Sequence, residues 1–112
     1  MKAGPVRDTD ERDMDEEIRK LIEQHRRTRL QFLKAELETC FTALEIAKYE
    51  LSMGNTTVAQ REVAFIDKGV RALQRFLPDL PDSKEKANIK AKLAKLQASL
   101  KPVQAEVELS LR

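Results

Sequence analysis

From Asp13 to Met53 the chain runs without Gly or Pro, and its apolar residues recur at helical spacing throughout. At 1.5 Å per residue this predicts one helix of roughly sixty Å. Asp13 with Glu16 and Glu17 supplies carboxylates for a first turn, where they favour the positive end of the helix dipole, and Gly54 supplies a left-handed terminator. Thr57 with Gln60 has the form of a capping box, so the Gly54–Thr57 stretch is expected to be a tight turn between antiparallel helices. The second helix then shows Ala59, Val63, Ile66, Val70, Leu73 and Leu77, spaced alternately by four and three, and Pro78 ends it. After a rigid connector containing Pro78 and Pro81, Asp82 with Glu85 offers another capping pair. A third helix follows from about Ser83 with the seam Ile89, Leu93, Leu96, Leu100, Val103 and Val107. Pro102 lies inside that seam and predicts a kink or break near Ser99–Lys101.

The pattern therefore predicts an all-α fold. It is an antiparallel three-helix bundle, with helices over about 13–53, 56–77 and 83–111, from which one long N-terminal helix projects. Residues 1–12, with Gly4, Pro5, Asp8, Thr9 and Asp10 and no periodicity, are expected to form a flexible arm, and residues 13–112 a single helical domain. The C-terminal half of the first helix carries the seam Leu30, Leu33, Leu37, Cys40, Leu44, Ala47 and Leu51. Its N-terminal half places Met14, Ile18, Leu21, Ile22 and His25 on a stripe rotated by roughly a quarter turn, with the phase slipping between His25 and Arg29.

Helix lengths turn this into an expectation about function. A second helix of about 21 residues, running back from the Gly54 turn, reaches only to about Phe32. Nothing is left to cover Met14, Ile18, Leu21 and Ile22, and each large apolar side chain left in water forgoes roughly 1.5–3 kcal/mol of burial. A second molecule covering them is the preferred reading, and a homodimer is the most economical form of it. The competing reading is a helix that frays, or that breaks near Thr28 and folds back.

Composition supports an extended helical protein. The chain has 112 residues, one domain's worth, with 36% charged and only 4% aromatic residues, three Gly and no Trp, a profile that suits long helices and ill suits a pocketed enzyme. A net charge of +2 gives little long-range steering toward nucleic acid or anionic membrane. Cys40 is the only cysteine, so no internal disulfide can form. No apolar stretch approaches the ~20 residues that span a bilayer, and Met1–Arg12 lacks the apolar centre of a secretion signal. A cytoplasmic protein with no membrane partner is expected.

Local chemistry offers few candidates. Arg26, Arg27 and Arg29 form the densest charge cluster and could clamp phosphate or carboxylate, although an exposed band paired with Glu23 and Glu36 explains them more simply. Lys84, Lys86, Lys90, Lys92, Lys95 and Lys101 could rest on nucleic acid phosphates, but no aromatic residue is interleaved for stacking. Ala87, Ala91, Ala94 and Ala98 form a small-residue stripe best read as good helix formers. Phe32, Ala35, Ile46, Tyr49 and Met53 make a back face on the first helix and a second candidate contact surface. His25, the only histidine, has no companions at ligand spacing, and Cys40 lies on the core seam with no histidine near it. Neighbouring carboxylates such as Glu16 with Glu17, or Glu36 with Glu38, do not face each other on a helix. No catalytic residue, cofactor or metal site is expected.

The leading expectation is a helical interaction or structural module acting through Met14, Ile18, Leu21 and Ile22, with Arg26, Arg27 and Arg29 at the rim. Its partner is a second copy or another helical protein. Non-specific binding of nucleic acid or another anion, through the arginine cluster and the helix-three lysines, is the alternative.

Overall fold

The computed structural model describes residues 3–112, with side chains from Asp15 onward. Three helices make up the fold: α1 Ala3–Ser52, α2 Thr56–Phe76 and α3 Lys84–Ser110, with a single 3-10 turn at Leu77–Asp79. They form an elongated body of 81 × 21 × 18 Å. α1 begins at Ala3 and not at an Asp13 cap, so residues 3–12, expected to be an arm, belong to the helix. Pro5 is tolerated there because the first-turn amides have no intrahelical partner in any case. α1 is also continuous through Thr28, which removes the folded-back alternative.

Gly54 ends α1 as its position predicts. Its φ is +81°, its N–H donates to the Leu51 carbonyl at 3.1 Å, and the Asn55 N–H donates to the Glu50 carbonyl at 2.8 Å. These two bonds are a Schellman pair, satisfying carbonyls that the helix end would otherwise orphan. The expected Thr57–Gln60 capping box does not form. Asn55 is the cap residue, and its side-chain amide donates 2.6 Å to the Glu50 carboxylate rather than closing onto α2. At the start of α3 the cap is Ser83, whose hydroxyl accepts from the Lys86 N–H at 3.0 Å. Ser83 stands immediately before the first helical residue, where a short side chain reaches the third amide, whereas Asp82 stands one residue too far out. Asp82 and Glu85 make ion pairs instead, with Lys86 at 3.3 Å and Lys34 at 3.1 Å.

The three seams meet in one core. Leu33, Leu37, Cys40, Leu44 and Ala47 of α1 pack with Ile66, Val70 and Leu73 of α2 and with Ile89, Leu93, Leu96, Leu100 and Val103 of α3, while Val107 is buried beyond this cluster. The connector is part of this core, since Leu77 and Leu80 are buried and the Leu80 N–H bonds the Leu77 carbonyl at 3.1 Å. α3 runs unbroken across Pro102. Both Pro102 and Ala98, whose carbonyl loses its donor to the proline, are exposed, so water can take the missing place. α2 lies close against α1 at Gly69, where a Cβ would collide with the Cys40 sulfur.

Candidate interaction surface

Between Asp15 and Thr28 nothing packs on α1. Every described residue from Asp15 to Thr28 is exposed, including Ile18 at 50%, Leu21 at 64% and Ile22 at 55%. Met14 falls outside the residues whose side chains are described. The bundle's cover reaches slightly further back than helix lengths alone imply, to Arg29 and Leu30, because the 3-10 turn and Leu80 extend the end of α2. Arg29 lies over the Phe76 ring with its guanidinium 5.9 Å from the centroid, and Arg75 approaches the same ring at 5.5 Å.

The arginine cluster divides. Arg26 and Arg27 converge on Glu23 at 2.9 and 3.9 Å, while Arg29 turns to α2 and has no carboxylate partner among the described residues. A shallow recess opens where the projecting helix leaves the bundle, lined by Arg26, Arg27, Lys34, Leu80 and Glu85 among others. Carboxylates and cations alternate around it, so its field suits no strong anion. Among the α3 lysines, Lys86 is tied to the Leu80 carbonyl at 2.8 Å and to Asp82, whereas the other five are exposed around the helix.

The second surface is also open. Phe32, Ala35, Ile46 and Tyr49 of α1 are all exposed, as is Met53 in the turn that follows it. Phe65 of α2 is a further exposed aromatic that the seam pattern did not single out, because it lies off the four-three spacing. Sequence reading treats the two α1 surfaces as separate. On the continuous helix they lie on one stripe, since Ile18, Leu21, His25, Thr28, Phe32 and Ala35 are spaced three, four, three, four and three, and the same alternation continues through Thr39, Thr42, Ile46, Tyr49 and Met53. Ile22 flanks the stripe.

Cys40 is fully buried, and its thiol donates weakly to the Ile66 carbonyl at 4.0 Å. Burial, with a smaller contribution from the Glu36 charge, pushes the thiol up to about 11 and holds it neutral. His25 is exposed, and no group of potential metal ligands occurs among the described residues. No described helix is long and apolar enough to cross a membrane. No family model, curated protein or solved structure matches the chain.

Proposed function

We propose that this protein is a helical association module, which binds by laying the uncovered stripe of α1 against another helix. The observation that carries this reading is the exposure of Ile18, Leu21 and Ile22 on a helix that continues well beyond its own bundle. Each of these side chains keeps about half to two-thirds of its surface in water, so a partner helix recovers about that share of the roughly 1.5–3 kcal/mol of full burial. The charged surroundings give anion binding little support: Arg26 and Arg27 share Glu23, which offsets one of their two charges. Rim charges of this kind orient a partner more than they bind it.

The test is the pair Ile18→Lys and Ile22→Lys, with solution mass measured by light scattering across a range of concentrations. Wild-type protein is expected to gain mass with concentration. The double variant is expected to remain monomeric while its far-UV circular dichroism and bundle melt stay near wild type. An unchanged mass in the variant would place association elsewhere and overturn the reading.

A further inference from the structure

We propose that the stripe's partner is a second copy of this chain, paired antiparallel along α1 in the register that sets Phe32 of one copy against Ala35 of the other. The proposal rests on the association reading above and names the occupant of that surface.

The stripe reads the same in both directions. Its outermost described layers are apolar, and the antiparallel register sets Ile18 against Tyr49 and Leu21 against Ile46. The next layers inward are polar at both ends, so His25 meets Thr42 and Thr28 meets Thr39. At the centre a large residue, Phe32, faces a small one, Ala35, twice across the two-fold axis. Apolar layers thus meet apolar layers, polar meet polar, and bulk meets space.

The threonines of the polar layers carry little penalty. Each threonine hydroxyl on the stripe donates within its own helix: Thr28 to the Gln24 carbonyl at 2.9 Å, Thr39 to Ala35 at 2.8 Å and Thr42 to Glu38 at 3.1 Å. Covering them leaves no unpaired donor, which is the usual cost of a buried hydroxyl.

Charge at the flanks is divided in this register: Arg29 meets acidic residues at the centre, while Asp15 comes level with Glu50 at the ends. Arg29 of one copy comes level with the Glu36–Glu38 segment of the other, and the two-fold axis makes this pairing twice. A parallel pairing stacks Phe32 on Phe32 and Ala35 on Ala35, and it brings Glu45 beside the second copy's Glu50. An antiparallel pairing of the projecting halves alone would leave Phe32, Ile46 and Tyr49 exposed. Of the antiparallel pairings, the full register covers both surfaces, and it offsets the two bundles toward opposite ends of the pair.

The experiment uses Thr28→Cys and Thr39→Cys as two separate proteins under mild oxidation, alone and mixed. Both changes fall in a polar layer and spare the apolar ones, while the native Cys40 is buried and out of reach. The proposal expects a covalent heterodimer in the mixture, and little crosslinking of either protein alone. Crosslinking of Thr28→Cys with itself would show a parallel pair and overturn the proposal. Dimers by light scattering without either crosslink would overturn the register, while association through Ile18 and Ile22 would still stand or fall by the lysine pair. A monomer at every concentration would overturn the self-pairing, with the capture of a different helix left to the parent reading.

Discussion

At Gly69 there is no room between α2 and α1 for a side chain. A Cβ there would meet the Cys40 sulfur and sit 3.3 Å from a Glu36 carboxylate oxygen. In an exposed helix, Gly→Ala gains about 1 kcal/mol from propensity. Here Gly69→Ala is expected to lose about 1–3 kcal/mol instead, because overpacking a buried contact outweighs that gain. Urea unfolding checks the sign. Adding Cys40→Ala should recover much of the loss, and strictly additive effects would show that the sulfur is not the obstacle.

Cys40 carries a pH dependence of its own. Its thiol is pushed from an ordinary 9.0 to about 11 in the fold, so the unfolded chain ionises first. The associated stability is therefore full below pH 9 and is lost progressively as pH rises toward 11. The expected result is a wild-type melt that falls more steeply over that range than the melt of Cys40→Ala. Parallel curves would show that the thiol titrates as it does in the unfolded chain.

At the level of the helices, the turn after α1 depends on one backbone conformation. Gly54 has φ +81° with open space where a Cβ would go, so Gly54→Ala costs only the left-handed conformation, about 1–2 kcal/mol, and no clash. Chemical denaturation measures it, and a neutral substitution would mean that the turn can re-form in another way. Much at this level was legible in the sequence. The α3 seam from Ile89 to Val107 is buried at every expected position, because a four-three spacing allows only one face inward. Caps were less legible: Asp82 and Ser83 both have capping chemistry, and one residue of helix boundary decides between them. Leu80 lay outside any periodic run, so its burial follows from the path of the connector and carries no sequence period.

At the scale of the whole molecule, the mismatch between one long helix and two shorter ones governs the shape. That mismatch could be read from residue counts alone, and it located Ile18, Leu21 and Ile22 as uncovered. The junction of the two α1 surfaces was harder to read, because the apolar pattern lapses at His25 and Thr28 and resumes at Phe32. The slip of phase separates the projecting stripe from the core seam, and a continuous helix carries the three-four spacing past it onto the back face. Arg29, which the sequence groups with its neighbours, is drawn to Phe76 by the position of α2, a contact no local pattern encodes.

α1 also acts as a torsion rod. Its projecting half is joined to the bundle by helix alone, so the direction in which Ile18 and Leu21 face is set by residue count. One residue inserted between Gln24 and Thr28 would leave every core contact in place yet swing the far edge by about 100° around the axis. Removing seven would bring it back to within about 20°, at a shorter reach. The length of this segment is thus a form of information in itself, fixed in steps of whole turns.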